Sequence, residues 1–308
     1  MTGQWVDPAW QREARAWIEH RLAATGIPLS GEITQPHVMP WSTAMRVPTP
    51  DGPLWFKANG PGTAYEPGLL RSLAGWAAEW TVPVLAVDVS RAWSLQADGG
   101  EQLRTRFAVD PDPAHWERAL VRHAELQKAS QARVAELLEL SLPDVRPSLM
   151  PAHFDELATA DGPLRLRAEY VQWCAELADC GIGPALQHDD LHDNNVLIGT
   201  DGAYRFFDWG DAGVAFPFGV LLVMLRSAAQ RFTREELTRC RDAYLEVWTD
   251  GHDRAELVEL SRLAIKVAKV GRALAWQRVL APLPAAERGP FDDPVAGWMA
   301  ELAEPDVL

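Results

Sequence analysis

The residues best suited to chemistry lie together in Leu186-Gln-His-Asp-Asp-Leu-His-Asp-Asn-Asn-Val-Leu-Ile198, followed by Arg205-Phe-Phe-Asp-Trp-Gly-Asp211. Between residues 185 and 211 stand six carboxylates, Asp189, Asp190, Asp193, Asp201, Asp208 and Asp211, against the single Arg205. Such crowding of like charge is unfavourable unless cations or hydrogen-bond donors neutralise it, and a divalent metal is the simplest neutraliser. Two short apolar runs, 196–198 and 204–207, flank an Asp201-Gly202 turn and predict a hairpin. Its closure brings Asn195 and Asp208 together at the outer ends. An amide oxygen and a carboxylate suit magnesium, a hard cation that keeps several waters and completes its shell with phosphate oxygens. Asp190, on the same loop, then faces a substrate hydroxyl rather than the metal. His188 reads as a loop-positioning group, while His188-x3-His192 beside several Asp offers a metallohydrolase alternative that needs further ligands.

The elements that must hold this stretch follow from periodicity. Asp7 and Pro8 start a helix with Trp10, Ala14, Trp17, Ile18 and Leu22 at helical spacing, ended by Gly26 and Pro28. Short extended runs then recur from about 32 to 97, separated by Gly, Pro and Asp turns, and predict a mostly antiparallel sheet. One helical stretch, 65–80, interrupts them with Leu69, Leu73, Trp76 and Ala77 on one face. Beyond Asp98-Gly99-Gly100, the natural hinge, the chain turns helical. A helix is predicted over 114–140, a Thr233–Glu236 capping box starts one running to about 248, and Asp253 starts a long one with Leu257, Leu260, Leu263, Ala264, Val267, Val270 and Leu274 as its buried stripe. The basic residues of that last helix, Arg254, Arg262, Lys266, Lys269, Arg272 and Arg278, read as a solvated face. A sheet-rich part and a larger helical part make the chain α+β, and a cleft between two such lobes is a standard place for a ligand.

Composition narrows the class. The 308 residues carry 29 Lys and Arg against 43 Asp and Glu, a net charge of -14, which argues against a nucleic-acid binder. The three cysteines form no CxxC pair, so a reducing, cytoplasmic home is the default. The longest apolar stretch, 216–225, is too short to span a bilayer, and no membrane association is expected. Fourteen Trp outnumber 9 Phe and 4 Tyr, and most of them read as packing residues.

His188-x-Asp190-x4-Asn195 followed by Asp208 resembles the catalytic loop and metal-binding Asp of the aminoglycoside phosphotransferase and choline kinase superfamily, relatives of protein kinases. The usual loop of that family is His-Gly-Asp-Leu-His-Pro-Gly-Asn. Here Asp189, Asp193 and Asn194 replace Gly, Pro and Gly, and because Asn and Asp tolerate left-handed backbone the loop is expected to keep its shape. The resemblance implies that Lys57, in Pro-Leu-Trp-Phe-Lys-Ala58, contacts the α and β phosphates and that Glu66 pairs with it. It also implies that 93–98, with Gln96 and Asp98, forms the hinge against adenine. No GxGxxG precedes Lys57. The corresponding loop is Pro40-Trp-Ser-Thr-Ala44, where the Ser42 hydroxyl is either a turn cap or a phosphate contact. Asp211 is either an acid behind the metal or a helix cap, and Trp209 and Trp276 are candidate acceptor lining.

The resemblance therefore implies a two-lobe, protein-kinase-like fold, with residues 1–97 as nucleotide lobe and 98–308 as catalytic and acceptor lobe. The implied activity is ATP- and magnesium-dependent transfer of the γ-phosphoryl group to a hydroxyl of a small molecule. An aminoglycoside or other cationic antibiotic, an amino sugar or a choline-like alcohol fits the acidic balance. Asp190 is the catalytic residue, Asn195 and Asp208 the metal ligands. The alternatives are a nucleotide-binding pseudokinase and the metal-dependent hydrolase.

Overall fold

A computed structural model describes residues 2–158, 163–288, 291 and 293–308 and divides the chain into two units. The first is 1–99 with 277–292, and the second is 100–276 with 293–308. The division falls within the Asp98–Gly100 step, and 277–292 groups with the sheet-bearing unit although its sequence pattern continues the helical part.

In the first unit the helix Pro8–Thr25 starts where predicted: Asp7 Oδ1 accepts from Ala9 N–H at 2.7 Å, and Gly26 ends it at φ 71°. Ala14, Trp17, Ile18 and Leu22 are its buried face. That face lies on an antiparallel sheet of β1 (Thr34–Met39), β2 (Ser42–Val47), β3 (Leu54–Asn59), β4 (Val84–Asp88) and β5 (Trp93–Ala97), in the order β1-β2-β3-β5-β4. Phe56, Ala58, Met45, Trp93 and Leu95 face the helix and share one core with it. Four of the fourteen tryptophans pack here: Trp5, Trp10, Trp17 and Trp93 meet edge-on or tilted around Phe56 with centroids 5.1 to 6.4 Å apart. Aromatic pairs in these arrangements add to the stabilisation from area alone. Glu66–Trp76 is a further helix of this unit, shorter than the predicted 65–80.

The second unit is built around the helices Ala114–Ser130, Arg167–Asp179 and Arg234–Glu246 and the helix Arg254–Leu280 as far as Trp276. Thr233 and Glu236 form the predicted capping box, and Asp253 Oδ1 accepts from Glu256 N–H at 2.9 Å. The helix predicted to run to residue 140 breaks at Gln131–Arg133, a 3-10 turn. The break is used: Ser130 Oγ donates to Gln127 O at 2.7 Å and accepts from Leu186 N–H at 2.8 Å, fixing the strand that leads into the Asp-rich stretch. Two small sheets frame that stretch. Ala185–Gln187 pairs antiparallel with Gly213–Ala215, so the segment between them leaves and returns on neighbouring strands. The predicted hairpin, Val196–Ile198 with Tyr204–Phe206, carries Glu101–Gln102 on its other edge. There Gly100 takes φ 109°, and an added Cβ would lie 2.2 Å from Ile198 O. Gly100→Ala is expected to lower stability by about 2 to 4 kcal/mol in urea unfolding; a loss below about 0.5 kcal/mol would contradict this packing.

Among the described residues no helix is long and apolar enough to cross a membrane.

Candidate active site

Strand register gathers the sheet residues. Ala44 and Ser94 lie opposite Lys57, Gln96 opposite Trp55, and Ser42 opposite Asn59, so Ser42, Lys57 and Gln96 share the face turned away from the Pro8–Thr25 helix. Lys57 Nζ lies 2.6 Å from Glu66 Oε2, and the Glu66 carboxylate is fully buried. The predicted pair is thus formed within the first unit, despite its short spacing in sequence. Asp98, just past β5, accepts from the Trp55 indole N–H at 3.4 Å. The Pro40–Ala44 segment is a tight hairpin: Met39 pairs with Ser42, leaving Pro40 and Trp41 as the turn. Ser42 to Ala44 belong to the strand ladder, and the Trp41 ring packs on Phe291 with centroids 4.9 Å apart. Trp93 lies on the opposite face from Lys57, in the core.

In the second unit the loop 188–195 is knitted by its own polar groups. His188 is buried and its Nε2–H donates to Phe207 O at 2.9 Å, which fixes the tautomer because a carbonyl only accepts. Burial pushes the His188 imidazole down, partly offset by that bond. Asn195 Nδ2 donates to Asp190 O at 3.0 Å, and Asn195 O accepts from Phe207 N–H at 3.3 Å. The last bond continues the hairpin ladder and brings Asn195 beside the residue preceding Asp208. Asp208 is exposed and holds φ 62°, ψ 63°, a left-handed conformation that costs a non-glycine residue energy and recurs at active sites and ligand clamps. Within 188–195 no residue is left-handed, so the tolerance expected of Asp189, Asp193 and Asn194 is not called on.

The carboxylate cluster is neutralised differently from the expectation of a metal alone, because guanidinium groups take five of the six. Arg205 holds Asp201 at 2.6 Å across the hairpin and draws its carboxyl down to about 2. Arg104 Nε and Nη2 donate to Asp193 Oδ1 at 2.9 and 2.7 Å, while Arg104 N–H donates to Asp193 O, so the residue that replaces the family's Pro is a staple for the loop. Asp189, Asp190 and Asp211 all face Arg272, with contacts of 3.6, 3.1 and 2.9 Å. Arg272 is 5% exposed and Lys269 3%, which corrects the reading of that helix's basic residues as a solvated face; Arg254 and Arg262 are exposed as expected. Asp211 is therefore an ion-pair partner of Arg272. Burial opposes ionisation of Asp190, but the Arg272 guanidinium and His192 together hold its carboxyl far below the usual carboxylate range. His192 Nδ1 accepts from Asn194 N–H at 3.2 Å, which leaves Nε2–H to face Asp190 Oδ2 at 3.4 Å. Among the described residues no group of three or more His, Cys, Asp or Glu side chains is placed to hold a metal ion.

Behind the loop, His123 is fully buried, with its ring centroid 6.5 Å from that of His188. Burial, with His188 beside it, pushes His123 down to about 3. The unfolded chain takes up this proton first, so the native state loses stability as pH falls below the ordinary histidine value. Between pH 7 and 5 the loss is about 2 kcal/mol. His123→Phe is expected to flatten the dependence of urea midpoint on pH over that range; an unchanged slope would contradict it.

A choline/ethanolamine kinase family protein from Mesorhizobium loti superposes with TM-score 0.63 at 17% identity, covering 94% of this chain and 95% of that one. A macrolide 2'-phosphotransferase from Brachybacterium faecium gives 0.62 at 19%, covering 94% and 98%. A spectinomycin phosphotransferase, solved with ADP and spectinomycin, gives 0.53 at 13%, covering 96% of each. These likenesses show the shared kinase-like fold. No functionally curated protein sequence matches the chain. Residues 86–258, more than half the length, match the sequence model of the phosphotransferase enzyme family, and the chain belongs to that family.

Proposed function

We propose that the chain is an ATP-dependent small-molecule kinase that transfers the γ-phosphoryl group to a hydroxyl. The observation that carries this is Asp190: a carboxylate kept ionised by Arg272, on a loop whose Asn195 bonds the Asp190 carbonyl. In this reading Asp190 orients the hydroxyl and accepts its proton late in the transfer, while each carboxylate oxygen keeps a lone pair beyond its bond to Arg272 or His192. Lys57, held by Glu66, steadies the α and β phosphates, and Gln96, Asp98 and Ser42 serve the nucleotide from the same unit. Residues 1–97 act as the nucleotide lobe and 98–308 as the catalytic and acceptor lobe.

Magnesium fits the donors present. The Asn195 nitrogen is spent on Asp190 O, which turns its oxygen the other way, and Asp208 adds an exposed carboxylate. Two oxygen donors suit a cation that draws its remaining ligands from water and phosphate. When bound, magnesium neutralises charge on the phosphates; the protein contributes position and preorganised charge. The ADP in the spectinomycin phosphotransferase structure supports ATP as donor.

The acceptor in this reading is cationic or sugar-like. Three carboxylates face Arg272 at the loop, and the whole chain carries -14. A reducing cytoplasm fits Cys174, Cys180 and Cys240, all unbridged. The test is a coupled ADP-release screen with ATP and magnesium over choline, ethanolamine, aminoglycosides, spectinomycin and macrolides. Release raised well above the rate with water by at least one class supports the reading, and no rise with any hydroxyl compound counts against it.

A further inference from the structure

We propose that Arg272 is the positioning residue for Asp190, and that the C-terminal segment 293–308 sets Arg272 in place; this rests on the reading of Asp190 above. Arg272 projects from the long Arg254–Leu280 helix, which gives it a rigid base. Its planar fork is divided among partners in fixed directions. Nη1 donates to Asp211 Oδ2 at 2.9 Å and to the Asp189 carbonyl at 3.2 Å, while Nη2 reaches Asp190 Oδ1 at 3.1 Å. One end of the guanidinium therefore grips the loop backbone and the 209–211 turn, and the other end aims the Asp190 carboxylate relative to both. A lysine ammonium, a point charge without a fork, cannot hold these three directions at once.

The guanidinium is also covered. The Trp298 ring lies 5.9 Å from its carbon, within cation–π range, and Arg226 packs on the same ring at 4.6 Å. Trp298 belongs to the helix Pro294–Ala300, and the chain that follows is fastened one helical turn from Arg272. Buried Lys269 donates to Glu301 O at 2.9 Å and to Glu304 O at 3.3 Å, and pairs with Asp306 at 2.7 Å. Lys269 and Arg272, three residues apart on one helix face, thus tie the C-terminal segment and the Asp190 loop to the same support. Two buried cations in a helix otherwise packed through apolar residues are costly unless paired, and both are paired with these two segments.

The test measures ADP release from ATP and magnesium, with water or the most active compound of the screen as acceptor, in Arg272→Met, Arg272→Lys, Trp298→Ala and Asp190→Asn and in each of the first three combined with Asp190→Asn. Arg272→Met is expected to lower kcat by about 100-fold with KM for ATP moved less than about threefold, and Arg272→Lys to recover part of the loss. In the Asp190→Asn background the effect of Arg272→Met should shrink to less than about threefold, because a residue acting through Asp190 has nothing left to position. Trp298→Ala leaves the ion pairs in place and should cost about fivefold in the wild-type background and nothing in Asp190→Asn, which keeps the test open if Arg272→Met does not fold. Equal losses in both backgrounds, or full activity in Arg272→Met or Trp298→Ala, would overturn the proposal while a large loss in Asp190→Asn leaves the Asp190 reading standing. Full activity in Asp190→Asn removes that reading, and the proposal with it.

Discussion

Asp190→Ala is expected to reduce acceptor-dependent turnover by about two to four orders of magnitude while leaving affinity for ATP within about threefold of wild type. Phosphoryl transfer needs little covalent help, so its rate comes from charge placement and from a hydroxyl held in line with a nearby proton acceptor. Asp190 is equipped for that second task alone. Its Oδ1 is taken by Arg272 and its Oδ2 by His192, and both donors stabilise the ionised form. Its backbone carbonyl, rather than its carboxylate, is what Asn195 holds. Losing the carboxylate should therefore spare the nucleotide and slow the transfer. It also leaves Arg272 with Asp189 and Asp211, so the variant should fold, and thermal unfolding near the wild-type temperature checks that the loss is chemical. A variant with wild-type turnover, or one whose loss is confined to KM for ATP, would contradict the assignment.

Lys57→Met is expected to act on two properties that a double variant separates. Glu66 is fully buried, and its 2.6 Å partner is the Lys57 ammonium. Removing one member of a buried ion pair costs about 3 to 5 kcal/mol. Removing both charges, in Lys57→Met with Glu66→Gln, should restore most of that stability, because desolvation of the pair offsets much of its attraction. Turnover should behave otherwise. Each variant lacks the ammonium proposed to meet the phosphates, and both should be slower by about two orders of magnitude or more. Stability that returns together with activity would mean that Lys57 serves the fold alone. Stability that never falls would mean that the pair contributes nothing to it.

How much of this was legible in the sequence depended on how far each signal travels along the chain. The first helix was readable because its cap, proline, apolar face and terminal glycine all lie within one stretch. The hairpin was equally local, and with it the bond from Phe207 N–H to Asn195 O next to Asp208. Lys57, Gln96 and Ser42 fall on one sheet face because strand alternation, also a local property, decides it. The reading failed where partners are remote. Arg104 and Arg272 neutralise the Asp-rich loop from 89 and 82 or more residues away, so the cluster seemed to demand metal for all its charge. Arg272 sits among other basic residues at solvent-like spacing, and only packing distinguishes it from Arg262. With Lys269 it falls on the side of the helix opposite the apolar stripe, so nothing in the sequence marks either residue as buried. Ser130 likewise looked like any helix residue until Leu186 N–H was found to need its hydroxyl.

The measurement that bears most directly on phosphoryl transfer to a small-molecule hydroxyl is phosphorus NMR of a reaction containing ATP, magnesium and the best acceptor of the screen. Wild-type protein should convert the γ-phosphate resonance into a phosphomonoester signal that couples to carbon-bound protons of the acceptor, in step with ADP, and Asp190→Ala should yield almost none over the same period. ADP accompanied by inorganic phosphate alone, or an equal phosphomonoester signal from Asp190→Ala, would contradict the account.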